Sequence, residues 1–381
     1  MGVKEWRLPE ELMYEVVRCY RCGFCRAQCP VFDVKLNESW NARGRVLIAK
    51  ALAEGLLNPS KSVVDRVFSC TSCKACEVTC PPRIKVVEVV RGLRSLMVRR
   101  GFYPPRYDKV VKRVKETNSM FESVFPLDVK LGKLRDKLED LPDKAENLLY
   151  VGCTAGVNYP EEVLRLVELL ELSGVGFTVL KDGEVCCGLF LKEIGFEEEF
   201  NKLAKRLKRK IKEVGAKKVI TLCPMCYTAL KLEYGLTVVF YVDLLLRAVK
   251  TGRVHLKQKV DLKTAYKDPC HLSRWHGLYD PPRELLEACC NSLTELELNR
   301  EYARCCGGPA RFAYPDLTGK LRRSLVEDAF SQGIELLVTS CPTCYYNLSA
   351  ASLLRPEVRV AELVDVVYFS AGLSDSPFRS T

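Results

Sequence analysis

Histidine is scarce in this sequence. Only His255, His271 and His276 are present among 381 residues, so several metal sites would have to rely on other ligands. Long apolar runs are also missing, because the best candidate for a membrane span, residues 360–373, is interrupted by two acidic side chains. The first ten residues hold no apolar signal-peptide core. These absences predict a cytoplasmic protein without a membrane span of its own.

Two nucleotide-binding signatures are absent as well. There is no G-x-x-x-x-G-K-[ST] run for phosphates, and no G-x-G-x-x-G follows a predicted strand. We therefore expect no flavin and no NAD on this chain. The net charge is +11, but we expect no nucleic-acid ligand. The basic helix at residues 201–212 has the pattern of a solvated face over an apolar stripe. That helix and the basic stretch at 91–115 could instead attract an acidic redox partner.

Cysteine, in contrast, is abundant, with 20 residues, and two runs share the spacing C-x2-C-x2-C-x3-C-P, at residues 19–30 and 70–81. This spacing is typical of [4Fe-4S] cubane ligation, whereas zinc usually binds separated cysteine pairs. Zinc binding or a disulfide framework is the alternative, although a reducing cytoplasm opposes disulfides. Two-cluster ferredoxins exchange the fourth cysteine of each run between their clusters. The expected cubane sets are Cys19, Cys22, Cys25 and Cys80, and Cys70, Cys73, Cys76 and Cys29.

A second cysteine pattern also occurs twice. A single cysteine is followed by a Cys-Cys-Gly pair after 32 or 34 residues, and then by a C-P-x-C motif after 35 or 34 residues. Predicted strands precede the single cysteine and the C-P-x-C motif, so each set is expected in a pocket at the carboxyl end of a sheet. The glycine after each pair would let the backbone approach a metal site closely. The two sets are Cys153, Cys186, Cys187, Cys223 and Cys226, and Cys270, Cys305, Cys306, Cys341 and Cys344.

Hydrophobic periodicity divides the chain into a helical part and an α/β part. Helical spacing dominates the first 125 residues, and the 40 residues between the two cysteine runs favour an α-helical ferredoxin domain over a small β-type ferredoxin. After residue 147, short apolar segments alternate with helices, which predicts α/β units with parallel-type sheets. Residues 91–147 are interpreted as a linker. The predicted strands lie at 147–153, 175–180, 217–223, 236–242, 262–270 and 334–341.

Several residues outside the repeats have two possible roles. Cys289 and Cys290 belong to neither pattern and are interpreted as small buried hydrophobes on a helix. His271 follows Cys270 and could donate a proton to a departing thiolate, or it could cap a helix or orient a ligand. Arg274 and Arg283 could bind a carboxylate or phosphate of a substrate, or form structural salt bridges.

On these motifs the chain resembles the heterodisulfide reductase iron–sulfur family, in the fused form in which a two-cubane helical module precedes two cysteine-rich CCG domains. The resemblance covers residues 19–344. Besides the cysteine runs, it rests on the segments at 268–288 and 303–309 and on both C-P-x-C motifs. The second copy reads CCGGP where more glycines are usual in the family. The domains are then expected at residues 1–125 (ferredoxin), 126–260 (first CCG) and 261–381 (second CCG).

The resemblance implies an oxidoreductase that acts with partner subunits. Two [4Fe-4S] cubanes would pass electrons to one or two non-cubane [4Fe-4S] clusters in the CCG domains, which reduce a disulfide substrate. The ten CCG cysteines would be the ligands, and the complete sets favour a reductase. The electron source would be a membrane cytochrome, a flavoprotein or a soluble carrier, and any membrane association would arise through that partner.

Two alternatives stay open. The chain could be a non-catalytic iron–sulfur electron-transfer subunit of a flavin-dependent 2-hydroxy-acid oxidase, such as a glycolate or lactate oxidase. It could also be a scaffold that binds zinc through its cysteines.

Overall fold

A computed structural model of the chain describes residues 6–128 and 131–376. Up to residue 139 the described chain is helical, as the periodicity predicts. Its helices are α1 Glu10–Val17, α2 Pro30–Lys35, α3 Ala42–Ala53, α4 Lys61–Phe68, α5 Ala75–Val78, α6 Val86–Val98, α7 Tyr107–Thr117 and α8 Gly132–Glu139. Single 3₁₀ turns at Phe24–Arg26 and Glu38–Trp40 complete this part.

Strands and helices alternate after residue 147. The first group is β1 Asn147–Tyr150, α9 Cys153–Asn158, α10 Pro160–Leu172, α11 Leu189–Glu193, α12 Glu197–Glu213, β2 Lys218–Thr221, α13 Pro224–Thr228, a π-helical turn Ala229–Glu233, β3 Val238–Phe240 and α14 Tyr241–Lys250. The second group is β4 Val260–Tyr266, α15 Ser273–His276, α16 Asp280–Cys289, β5 Cys290–Thr294, 3₁₀ turns Arg300–Tyr302 and Gly308–Ala310, α17 Pro315–Ser331, β6 Leu336–Thr339, α18 Pro342–Ser352, β7 Arg359–Glu362 and α19 Leu363–Ser370.

The strands form two separate parallel sheets. The first has the order β1-β2-β3, and the second has the order β5-β4-β6-β7. Strands β1, β2 and β6 are almost wholly buried, as expected for parallel sheets covered by helices on both faces. Because parallel strands end at the same edge, residues that follow β1 and β2, or β4 and β6, are brought side by side.

The two cysteine runs of the helical part repeat the same backbone conformation. In the first run Arg21 and Gly23, on either side of the second cysteine, have φ of 59° and 89°, and their counterparts Ser72 and Lys74 have φ of 52° and 59°. A short helical turn follows in each run. Left-handed residues before and after a cysteine curl the chain tightly, which turns successive cysteines toward one point.

The interpretation of residues 91–147 as a linker is wrong. Helix α6 includes Arg91 and Arg94 and packs its apolar face into the core, and α7 buries Tyr107 and three valines. The basic side chains that suggested solvent are themselves buried, because Arg91 is paired with buried Glu193 of α11 and Arg94 donates to four backbone carbonyls and a hydroxyl. These bonds join the helical part to the first sheet unit.

Five of the six predicted strands are present, and the structure has two further strands that the sequence does not predict. The predicted strand at 175–180 is reduced to one bridge, between Leu148 and Thr178, and the sequence patterns missed β5 and β7. Cys289 and Cys290 are buried as predicted, but Cys290 opens β5 instead of continuing the helix. Helix α12 buries its predicted apolar stripe. Within the described ranges, no helix has the length and apolarity needed to cross a membrane.

Candidate metal centres

The first expected cubane set lies near the surface. Cys19, Cys25 and Cys80 are half-buried and Cys22 is exposed. Partial burial raises the pKa of Cys25 to about 11, helped by nearby Cys19 and Cys80, and it raises the pKa of Cys80, with Cys19 and Cys22 as neighbours. The backbone N–H of Ile84 donates to Cys80 Sγ over 3.4 Å. Cys80 of the second run therefore lies near Cys19, Cys22 and Cys25 of the first run.

The second expected cubane set lines a buried cavity of about 320 Å³. Its sulfurs come from Cys29 at the N-cap of α2 and from the 70–76 loop. Burial raises the pKa of Cys29 and Cys76, so these thiols ionise less readily unless positive charge is near. Among the described residues, no three histidine, cysteine or acidic side chains converge as on a single ion. The sulfurs surround a space suited to a group of several atoms.

Arg45 supplies positive charge to this cavity. The side chain is 1% exposed on α3, and its Nη1 lies 3.8 Å from Cys29 Sγ. Its other two nitrogens donate to the carbonyl of Arg66 and to Ser69 Oγ, so each guanidinium nitrogen has a partner that holds the side chain in place. A buried cation beside buried thiols favours their ionised, metal-binding form. The cysteine spacing gave no signal for this residue.

The five cysteines of the first sheet unit line a cavity of about 480 Å³. Cys153 begins α9 just after β1, and Cys223 precedes α13 just after β2, so the adjacent parallel strands bring both together. Sulfur–sulfur distances are 3.8 Å for Cys153–Cys186 and 3.5 Å for Cys187–Cys226. Hydrogen bonds from neighbouring sulfhydryls lower the pKa of Cys187 to about 6.

Residues of the second unit close this first cavity. Arg311 and Phe312 lie in its wall, together with the apolar side chains Met120, Phe190 and Met225. On the opposite side, Glu184 accepts hydrogen bonds of 2.7 Å from the backbone N–H groups of Val151 and Gly152. The loop that presents Cys153 is therefore held by a buried carboxylate, whose pKa burial raises to about 8.

The second five-cysteine set is buried more tightly. Cys306 and Cys344 have sulfurs 3.4 Å apart, and hydrogen bonds from neighbouring sulfhydryls hold the pKa of Cys306 well below its usual value. Two polar groups point at these sulfurs: Lys267 Nζ is 3.5 Å from Cys344 Sγ, and Asn347 Nδ2 is 3.5 Å from Cys306 Sγ. Lys267 is 2% exposed, so its charge is available to sulfur and not to water.

One contact joins this set to the buried cubane set. Cys73 and Cys305 pack together in a small buried cluster with Ala75 and Cys270, and the two thiols influence each other's pKa. Arg274 fixes the contact from the α15 side, because its Nε donates to the Cys73 carbonyl over 2.6 Å and its Nη1 donates to the Ala303 carbonyl over 2.6 Å.

The sequence predicts that Arg274 and Arg283 either bind a substrate or make structural contacts. Their observed partners all belong to the chain itself, which matches the structural role. Arg283 is paired with Asp268 at 2.8 Å and with Glu295 at 2.5 Å. His271 is buried and stacked on Trp275, with its Nδ1 3.2 Å from Thr228 Oγ1. Burial lowers the pKa of His271 to about 3, so the ring is neutral at pH 7 and holds no spare proton for a thiolate.

The glycines after the two Cys-Cys pairs bring their backbone N–H groups close to cysteine sulfurs. Gly188 and Gly307 have φ of 70° and 78°, and their N–H groups lie 3.5 and 3.4 Å from the sulfurs of Cys186 and Cys305. A Cβ there would meet apolar side chains, not the site. Gly152 also lies close to a site, because a Cβ there would lie 2.9 Å from Cys226 Sγ.

Known protein families match these regions. Residues 148–231 and 264–349 match the cysteine-rich domain family CCG, and residues 15–84 match the 4Fe-4S dicluster domain family. The chain is 26% identical to a dihydromethanophenazine:CoB–CoM heterodisulfide reductase subunit of Methanosarcina barkeri, over 96% of each chain. It is 27% identical to the corresponding subunit of Methanosarcina acetivorans, over 95% of each.

A further relative differs in its stated activity. The "EtfAB:quinone oxidoreductase" of Syntrophomonas wolfei is 26% identical, and the match covers 92% of this chain and 57% of that protein.

Proposed function

We propose that the chain is an oxidoreductase subunit of the heterodisulfide reductase type that passes electrons to a disulfide substrate. Its matches to the CCG and 4Fe-4S dicluster families and its similarity to heterodisulfide reductase subunits support this proposal. The overall change would be the uptake of two electrons and two protons by one disulfide, which gives two thiols. The expected cubane sets would each hold a [4Fe-4S] cluster, and the five-cysteine sets would hold one or two non-cubane [4Fe-4S] clusters. When bound, the clusters carry single electrons between these sites.

The chain's own residues would ionise, hold and shield the sulfurs. Arg45 and Lys267 place buried positive charge beside Cys29 and Cys344, and Glu184 holds the loop of Cys153. Apolar side chains keep water away from the first cavity. Hydrogen bonds to sulfur and burial are the means by which proteins set the potentials of such centres.

The contact between Cys73 and Cys305 is the observation that carries the proposal. Ligands of two different expected clusters pack together, so an electron would have a short path from the helical part to the second sheet unit. Arg311 and the segment around it then lie between the second set and the first cavity. A disulfide reductase subunit requires an electron path of this kind that ends at a cysteine-lined site, and the first cavity is lined by five cysteines.

We test the proposal on protein prepared without oxygen, by measuring iron, sulfide and EPR signals and the thiols released from coenzyme M–coenzyme B heterodisulfide with reduced methyl viologen. About sixteen irons are expected if all four sites hold four-iron clusters. Cys226→Ser should lose thiol release together with about four irons. Cys289→Ser, at a buried cysteine outside both cavities, should change neither. Zinc in place of iron and sulfide would contradict the proposal and support a zinc scaffold.

A loaded protein that releases no thiol from this disulfide would favour the alternative of an electron-transfer subunit for a flavin-dependent oxidase. The electron source in either case would be another subunit or carrier, such as a membrane cytochrome, a flavoprotein or a soluble redox protein. The chain's relatives include named subunits of larger enzymes, which supports a partner of this kind.

A further inference from the structure

The surface around Cys22 combines an exposed cysteine with exposed apolar side chains and positive charge. Electron transfer within the chain does not require this combination. Cys22 is exposed, whereas the other nineteen cysteines are half-buried or buried. An expected cluster ligand at the surface brings a redox centre within reach of a second molecule. The residues around it therefore decide which molecule can approach.

Large exposed apolar side chains lie near Cys22 in the chain and in the second cysteine run, which contacts the first. Tyr14, Val17, Tyr20 and Phe24 are between 62% and 75% exposed, and Val78 joins them from the second cysteine run. Thr79 Oγ1 donates to the Phe24 carbonyl over 3.4 Å, so the two runs share this surface. We call these five residues the Cys22 face. A contiguous group of exposed apolar side chains is typical of a protein–protein contact.

The rim of the Cys22 face is positively charged. Residues 18–32 contain three arginines and no acidic residue, and residues 80–87 contain Arg83 and Lys85 and no acidic residue. Arg18 Nη2 donates to the Pro82 carbonyl over 2.7 Å, which ties the second segment to the first. Arg18 pairs with Glu15 at 3.3 Å, and Arg26 and Arg43 pair with Glu38 of the groove at 3.0 and 2.6 Å. Within residues 6–128 and 131–376, neither Arg21 nor Arg83 forms an ion pair.

A groove of about 780 Å³ adjoins this rim. Arg21 and Arg43 stand at its edge, and Leu47, Ile48, Ala51 and Leu57 form its apolar floor. A loop or a bulky side chain of a partner could enter it beside Cys22.

Helix α12 is the competing basic surface, and three of its seven basic side chains form ion pairs. Lys202 is within 3.8 Å of Glu198, Arg209 within 3.5 Å of Glu213, and Lys210 within 2.8 Å of Asp182. The cysteines of the adjoining cavity are half-buried or buried. The α12 surface therefore presents no exposed cluster ligand to a partner.

We propose that the Cys22 face is the docking site of an acidic redox protein, whose carboxylates meet the arginine rim while its own cofactor faces Cys22. Each encounter transfers one electron, so that the partner's cofactor is oxidised and the cluster held by Cys19, Cys22, Cys25 and Cys80 is reduced. The proposal rests on the proposed function, because it needs that cluster to be present. Complementary charge speeds such encounters and makes them sensitive to salt.

The test uses reduced plant-type [2Fe-2S] ferredoxin as an acidic probe, mixed without oxygen with the iron-loaded full chain in a stopped-flow instrument. We expect Arg21→Glu and Arg83→Glu each to lower the second-order rate of cluster bleaching at least tenfold at low salt, and high salt to remove most of the difference. Val17→Ser should lower the rate at high salt as well, because it removes apolar contact. Arg209→Glu on α12 is the matched control and should leave the rate unchanged.

Reduced methyl viologen separates docking from cluster assembly. All four variants should be bleached by it at the wild-type rate and hold the wild-type amount of iron. Equal ferredoxin rates for the wild type, Arg21→Glu and Arg83→Glu would overturn the docking site, and so would an equal loss of rate in Arg209→Glu. A wild-type protein without iron, or one that methyl viologen cannot bleach, would contradict the proposed function instead.

Discussion

Single buried cations accompany the sulfur ligands of this protein. Arg45 lies 3.8 Å from Cys29 Sγ and Lys267 lies 3.5 Å from Cys344 Sγ, and both are almost fully buried. A buried cation without a partner would cost several kcal/mol, so each is expected to balance thiolate charge in the loaded protein. Burial opposes the charged form of Lys267, yet the nearby thiolates raise the pKa of this side chain above its usual value.

Gly152 has a similarly specific role, because it precedes Cys153 with φ of 82° and ψ of 154°, a conformation nearly restricted to glycine. We predict that Gly152→Ala loses about four irons, those of the first five-cysteine site, because its Cβ would lie 2.9 Å from Cys226 Sγ. Iron and sulfide analysis with EPR measures the loss.

Gly215→Ala is the control for this prediction. Gly215 also has a positive φ, of 71°, but within the described residues an added Cβ there would meet no heavy atom within 4 Å beyond its chain neighbours. It should cost only about 1–2 kcal/mol of stability and keep all the iron. Full iron in Gly152→Ala would show that the loop can move away from Cys226.

Helix α6 is the element that joins the helical part to the first sheet unit. Its Arg91 pairs with buried Glu193 of α11 and with Glu88 at 3.1 Å, and its Arg94 donates to the carbonyls of Cys70 and Glu193. One helix thereby fixes the loop of a cubane set against the unit that holds the first cavity.

Removing one side of the buried pair should be costly. We predict that Arg91→Met lowers the free energy of unfolding by about 3–5 kcal/mol, because Glu193 is left charged and buried without its partner. Thermal unfolding under anaerobic conditions, at one scan rate, measures the effect as a lower Tm. The double variant with Glu193→Gln should regain part of the loss, and a double variant no more stable than Arg91→Met would rule out this pairing as the cause.

At the scale of the whole molecule, the expected sites form a sequence from the surface to the interior. The Cys22 site is at the surface, the second cubane set is buried behind it, and Cys73 of that set contacts Cys305 of the second sheet unit. Arg311 and Phe312 then reach from that unit into the wall of the first cavity. The order suggests that electrons enter at one end and are used at the other.

This order predicts that Arg274 governs the passage from the helical part to the second unit. Arg274→Gln should slow the appearance of reduced five-cysteine signals at least tenfold after the cubanes have been reduced, because the Cys73–Cys305 contact loses its support and tunnelling falls steeply with distance. Freeze-quench EPR follows the transfer.

Arg300→Gln serves as the comparison, because Arg300 pairs at the surface with Asp280 at 2.7 Å and does not contact Cys73. It should transfer electrons at the wild-type rate, and both variants should keep their iron. Equal rates for Arg274→Gln and the wild type would mean that electrons take another path.

The sequence by itself determined the local chemistry: eighteen cysteines in two repeated patterns, a helical part followed by parallel α/β units, and the strand ends that carry Cys153, Cys223 and Cys341. These follow from short-range rules, since spacing sets a loop's reach and periodicity sets a strand or helix. The roles of the cysteines as ligands and the limits of the domains stay predictions.

The tertiary structure alone decided which distant groups meet. Burial of Arg91 in α6, the cations beside Cys29 and Cys344, the neutral His271, the sulfur contact between Cys73 and Cys305, and the exposure of Cys22 all depend on packing between segments far apart in the chain. From sequence alone, a basic residue is predicted to be exposed to solvent, because water is its usual partner. Only the fold shows when a buried carboxylate or thiolate takes the place of that water.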